Sequence, residues 1–506
     1  MATGLKAFLI FVLAILLAAG MWGFGLADGK ADPPRDQKSL QEWAVEAVAE
    51  KPEVAAPAIA ALREAGPAGL EALFEVHGEQ SVKIALLNAH PDSMHEVRRL
   101  ASALDAVARQ KDAYASRLYW YTELPKAQAA ARAGGKPILS LRLLGNLDED
   151  CSCANSRFFR TVLYANAGLS KILRERFVLH WKTVRPVPKV SVDFGDGRTL
   201  VRTVTGNSIH YVLDSDGIPL DAIPGLYGPR AFLNALERAE ALAKACALRP
   251  ATERNASLRR HHEERALAVH AAWAQDLSQL GIPMPPGETG SARVPAKAPG
   301  APPTAREALP IALAKGMIEL PLVGAIAHAG KPLEAVRSAA VEALPWAAGK
   351  GRVERPLLNA IVYARQPLEA ATNEDAWSRI AALHAADAGL DAGSKALLRA
   401  KHPTAFDASQ IAMTKIRVED PLLRLVRVFE RTIAEDTVRN EYLLHRKIHE
   451  WFAAGAVGTD PDALNEDVYA ELFLTPSSDP WLGLVPADTY SALENDGVRT
   501  ARKEGK

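Results

Sequence analysis

The sequence predicts an α+β multidomain chain, with a single mixed α/β unit set between all-α regions, and three observations lead there. Apolar residues recur at helical spacing over most of the 506 residues. Alternating strand and helix patterns are confined to one stretch, from Tyr119 to about Ala239. Between Gly281 and Thr304 the chain is dense in Pro, Gly and Ala and nearly free of large apolar side chains, which is linker composition.

At about 150 residues per domain this length allows roughly three domains. Sixty Lys and Arg balance sixty Asp and Glu, for a net charge of +0. No overall field draws in a polyanion, so a dedicated nucleic-acid binder is not expected. With 48% hydrophobic and 24% charged residues, the composition is that of a globular protein. The three cysteines, Cys151, Cys153 and Cys246, cannot build a disulfide framework. No paired C-x-x-C spacing for structural zinc and no C-x-x-C-H for haem is present, and no cofactor is implied.

Taken in order, residues 1–27 come first. Lys6 precedes an apolar run from Ala7 to Ala27, before charge returns at Asp28. That order reads as an export signal with small residues for cleavage at Gly25-Leu26-Ala27, or as an uncut membrane anchor. Either reading makes the bulk extracytoplasmic, periplasmic or secreted, with membrane contact only if the segment is retained. Residues 39–116 follow as short helices, with Leu40, Trp43, Ala44 and Ala47 on one face and Ile59, Leu62, Leu70, Leu73 and Phe74 on the next. Pro52, Pro57, Pro67 and Pro91 mark starts or interruptions. Such helix pairs resemble a HEAT-like stack, without the fixed period of a repeat array.

Within residues 117–240, strands are expected at Ile138–Leu144, Phe177–Trp181, Val190–Phe194, Leu200–Val204 and Ile209–Leu213, with Gly195-Asp196-Gly197 turning a hairpin. Residues 241–281 return to helix, and His261-His262-Glu263-Glu264-Arg265 there reads as charged surface. After the linker at 282–304, residues 305–456 read as a helical domain and 457–506 as an irregular tail. Glu441, His445 and His449 recur every four residues on one helical face. Zinc uses such spacing, but there is no His-Glu-x-x-His and no identifiable further ligand, so these read as a solvated polar face.

The mixed stretch carries a family resemblance. An aromatic entry at Tyr119-Trp120-Tyr121 leads through a helix to Gly135-Lys136-Pro137-Ile138-Leu139, and then to a cysteine-bearing loop that opens a helix. Phe177-Val178-Leu179, Gly206-Asn207-Ser208-Ile209-His210-Tyr211-Val212-Leu213-Asp214 and Ile223-Pro224-Gly225 follow. This order resembles the thioredoxin-like superfamily. The resemblance implies that Cys153 takes the first position of C-x-x-C, giving Cys153-Ala154-Asn155-Ser156, a C-x-x-S in which Ser156 replaces the resolving cysteine and Cys151 is an extra thiol. A competing register is Cys151-Ser152-Cys153. Ser208 stands at the family's cis-proline position and, with Asn207 beside it, would meet the substrate. The tryptophan usual before the motif is absent.

A helix start favours thiolate, the reacting species. Asp148, Glu149 and Asp150 oppose it, and Arg157 and Arg160 offset them. Three functions are therefore expected as alternatives. In the first, Cys153 performs thiol-disulfide exchange or reduces oxidised cysteines, with Cys151 resolving, Ser156 stabilising the thiolate, and a protein thiol or disulfide as substrate. In the second, a redox-inactive domain is a scaffold whose helical arms bind an envelope protein. In the third, Cys151 and Cys153 hold copper(I) with a histidine such as His180 or His210. The exchange reading requires a Cys153 that faces Ser208 and is open to a substrate.

Overall fold

The computed structural model describes residues 38–86, 94–204, 206–284, 313, 315, 374–401, 421–455 and 460–478. The expected export segment, nearly all of the linker and the chain beyond residue 478 lie outside the described residues. Among the described residues, no helix is long and apolar enough to cross a membrane.

The first region is all helix: α1 (Leu40–Glu46), α2 (Pro52–Glu64), α3 (Pro67–Val76), α4 (Gly78–Leu86) and α5 (Met94–Ala108). Ser39 and Glu42 cap α1 reciprocally, with the Ser39 amide donating to Glu42 Oε2 at 2.7 Å and the Glu42 amide to Ser39 Oγ at 3.2 Å. Pro52 and Pro67 open helices, where a missing N–H is no loss. A Cβ at Gly69 would stand 2.0 Å from the Leu62 carbonyl oxygen, so α3 crosses α2 this closely only because Gly69 has no side chain. Leu62, Leu73, Leu100 and Leu104 fill the core between these helices.

The mixed region comprises α6 (Leu124–Gly134), β1 (Ile138–Leu144), α7 (Ala154–Phe158, continued by a π turn Phe159–Leu163), α8 (Ala167–Arg176) and β2 (Val178–Arg185). It continues with β3 (Lys189–Asp193), β4 (Thr199–Thr203), β5 (Ile209–Leu213), β6 (Pro219–Pro224), α9 (Pro229–Ala247) and α10 (Ala251–Gln279). The sheet order is β2-β1-β5-β6. β1 runs parallel to β2 and antiparallel to β5, and β5 is antiparallel to β6. Tyr121 adds an isolated parallel bridge to His180 on β2. Every residue of β1 is buried, as a central strand covered on both faces must be. β3 and β4 form a separate exposed ribbon closed by Gly195 and Gly197, both at positive φ.

Five α-helices and a short 3-10 turn (Ala385–Asp387) complete the described fold: α11 (Glu374–Leu383), α12 (Ala392–Lys401), α13 (Pro421–Arg439, continued by a π turn Asn440–His445), α14 (Arg446–Ala453) and α15 (Pro461–Asp467, continued by a π turn Val468–Leu472). One apolar core joins them to the sheet, from Leu118 through Trp273 to Phe473. Residues 461–472 are thus helical where an irregular tail was expected. Pro461 opens that helix and the Asp460 carboxylate caps it by accepting the Asp462 amide at 2.9 Å, which the prolines further along the tail obscured.

Candidate functional site

Cys153 is built into the junction of β1 and α7. It is the residue before the helix, with φ −59° and ψ 158°, and its amide donates to the Leu144 carbonyl at 3.1 Å. Its Sγ lies 2.9 Å from Ser208 Oγ and 3.5 Å from Ser156 Oγ. Ser156 Oγ is in turn 2.7 Å from Ser152 Oγ and 2.8 Å from the Cys153 carbonyl. Asn155 Nδ2 donates to Asn207 Oδ1 at 3.1 Å. Four of the five residues singled out from the sequence, Cys153, Ser156, Asn207 and Ser208, therefore converge. Cys151 is half-buried, and all three thiols are free. The expected opening toward a substrate is not there: Cys153 is 0% exposed.

The element that closes the site comes from the far end of the chain. The Tyr469 hydroxyl, on the π turn after α15, donates to the Asn207 carbonyl at 2.5 Å. Burial first, and the adjacent Cys153 second, hold its phenol well above the ordinary range, so it remains a donor. The segment is anchored on the sheet by buried Arg142, which gives Asp462 Oδ1 two hydrogen bonds of 3.2 and 3.0 Å. A third bond of 2.5 Å runs from Arg142 to Ser140 Oγ, whose hydroxyl then donates to His180 Nδ1 at 2.7 Å. Lys182 pairs with the same Asp462, Tyr211 bonds Asn465, and Arg185 bonds the Thr475 carbonyl.

Neither histidine considered for copper is bonded to a thiol. His180 is held by Ser140, and burial, then Arg142, push it down to about 3. His210 Nε2 meets the Tyr164 hydroxyl at 2.7 Å between the rings of Phe159 and Phe232, and burial lowers it to about 3 as well.

A second polar cluster corrects two expectations. Glu441, His445 and His449 are not a solvated face and His262 is not charged surface: His445, His449 and His262 are all buried. They are covered because α13 and α14 pack on β6 and α10. Gly225, just after β6 at φ 74°, makes room for Asn440, whose side-chain amide donates to the Leu226 carbonyl at 2.8 Å. The Gly228 amide donates to Thr437 Oγ1 at 2.8 Å. His445 is held between Glu441 Oε2 at 2.9 Å and Asp221 Oδ1 at 3.3 Å. Burial alone would lower His445, yet these two carboxylates raise it to about 9. Tyr227 donates to Glu441 as well, and Arg238 and Arg265 each lie 3.6 Å from it.

No family model, curated protein or solved structure matches this chain.

The sequence did not mark Tyr469 as a neighbour of the Cys153 site, nor Asp221 as the partner of the histidine face. Tyr469 shows only as an aromatic at helical spacing. Asp221 follows Leu220 in an otherwise apolar strand, and a lone acid inside such a run is the signal that could have marked it.

Proposed function

We propose that this chain is an extracytoplasmic interaction scaffold built on a thioredoxin-like domain, in which Cys153 serves the core and not exchange chemistry. The sheet order, the parallel bridge at Tyr121 and the cysteine at the start of α7 support the thioredoxin-like resemblance. A single observation carries the functional reading: the Cys153 sulfur is fully buried and hydrogen-bonded to Ser208. Exchange requires the attacking sulfur to approach a disulfide sulfur directly, and a thiol closed off from solvent is inert. A binding role is supported by the β3–β4 ribbon, which exposes Val192 and Val201 on strands that among the described residues pair only with each other, and Phe194 just after β3. Its partner in this reading is an envelope protein.

Thiol labelling of the native protein tests this. Cys151 is expected to react, and Cys153 only after denaturation. A disulfide-reductase activity of the native chain that disappears in Cys153→Ser would overturn the scaffold reading. Co-purification with one envelope protein, lost in the double variant Val192→Asp/Phe194→Asp, is the positive result expected.

A second reading is favoured by the convergence of Cys153, Ser156 and Ser208, and it needs the 460–478 segment to lift. Cys153 would then attack a substrate disulfide and release one thiolate. Cys151 would displace the second, leaving the substrate reduced and the Cys151–Cys153 pair oxidised. Reductase activity gained in Tyr469→Ala and lost again on adding Cys153→Ser is the outcome that selects it.

A further inference from the structure

Where β6, α10 and α14 meet, one side chain from each turns toward a common point. Asp221, His262 and His449 are 4%, 0% and 1% exposed, and a ligand atom from each lies within 4.8 Å of the others. The two Nδ1 atoms of His262 and His449 are 2.8 Å apart, and Asp221 Oδ1 is 3.9 Å from His449 Nδ1. Two nitrogens bound at about 2.0–2.1 Å to one tetrahedral ion stand roughly 3.3 Å apart. The histidine pair therefore needs to open by only a few tenths of an ångström to admit one.

The surroundings orient these atoms as ligands. His262 Nε2–H donates to the Leu220 carbonyl at 2.9 Å, which directs the Nδ1 lone pair into the cluster. Fixing the outer nitrogen of an imidazole on a backbone carbonyl is how metal-bound histidines are held. Without an ion that lone pair accepts the His449 Nδ1 proton, and buried His449 Nε2 is left with no partner. Taking up an ion asks only that His449 carry its proton on Nε2 instead, with no net proton lost. His445 holds Asp221 in place from the other side, at 3.3 Å, while its own Nδ1 is anchored on Glu441 at 2.9 Å.

We propose that Asp221, His262 and His449 bind a divalent transition-metal ion of the zinc class, which ties β6 to α10 and α14. Two imidazoles and one carboxylate suit zinc, cobalt or iron(II) better than calcium or magnesium, which favour all-oxygen shells. Complete burial fits an ion that braces the fold, since a catalytic one needs a position open to substrate; with three protein ligands, the fourth tetrahedral position falls to a water molecule. His445 is a positioning residue that acts through Asp221.

The test uses the full-length chain, stripped with chelator and titrated with Co2+ and then Zn2+. About one Co2+ per chain is expected, with visible d–d absorption that Zn2+ abolishes. His262→Gln and His449→Gln should each weaken binding at least tenfold, and His445→Gln by less. Glu264→Gln, on the exposed side of α10, should change nothing. A folded wild-type chain that takes up no Co2+ overturns the proposal, and so does binding undiminished in both ligand variants, which would mark the metal as adventitious. Should those variants fail to fold, the wild type decides through its NMR spectrum with Co2+: two strongly shifted imidazole N–H resonances support the site, and their absence refutes it.

Discussion

Asp105 shows at the level of one side chain what burial does to a carboxylate in this fold. It accepts the Ala113 amide at 2.9 Å and pairs with Lys111 at 3.1 Å, yet burial outweighs both and raises it to about 6. The folded chain then keeps a proton that the unfolded chain releases near 3.8. Stability from this group is full below that pH and is lost as pH rises toward 6, by at most ~3 kcal/mol. Asp105→Asn is expected to remove that slope, which urea midpoints measured from pH 4 to pH 7 would show; an unchanged slope refutes it. Arg142 presents the opposite case, a buried cation held by Asp462. Asp462→Ala should cost about 2 kcal/mol, because the guanidinium stays buried after its partner is gone. In urea unfolding, the double variant Arg142→Met/Asp462→Ala should recover part of that loss.

Between elements, close approach is the recurring device. Helices α2 and α3 meet at Gly69, where a methyl group would collide with the Leu62 carbonyl. Gly69→Ala is predicted to destabilise the N-terminal helices by roughly 2 kcal/mol, the ordinary penalty of overpacking, visible as a lowered thermal midpoint. A helix packed on a helix is legible from spacing, and the strands near Ile138, Phe177, Val190, Leu200 and Ile209 were legible from apolar runs bounded by turns. The environment of the Glu441, His445 and His449 face was not. Periodicity says that three side chains share a face, but whether that face meets water or a strand depends on what packs against it. Here Asp221 and His262 do, from elements far away in sequence.

Across the whole molecule, the 460–478 segment packs on the domain that holds the buried thiol. It lies over one face of the sheet through Asp462, Asn465 and Thr475, and its Tyr469 hydroxyl bonds the carbonyl of Asn207, the residue before Ser208. Tyr469→Ala is predicted to speed labelling of Cys153 at least tenfold while leaving Cys151 unchanged, read by mass spectrometry of the modified peptides. Equal rates in both proteins would show that the phenol is no barrier.

Local patterning by itself determined the α+β class, most strand positions and the placing of Cys153 at a helix start, while Ser156 and Ser208 as its neighbours were expected from the family resemblance alone. The first three follow because apolar periodicity, turn residues and short spacings act over a few residues, whereas Ser208 lies 55 residues from Cys153 along the chain. Only the tertiary structure decided that Cys153 is shut away and that three histidines and two carboxylates gather in the core. Both depend on burial by distant segments, and burial is a property of the packed whole that no window along the chain contains.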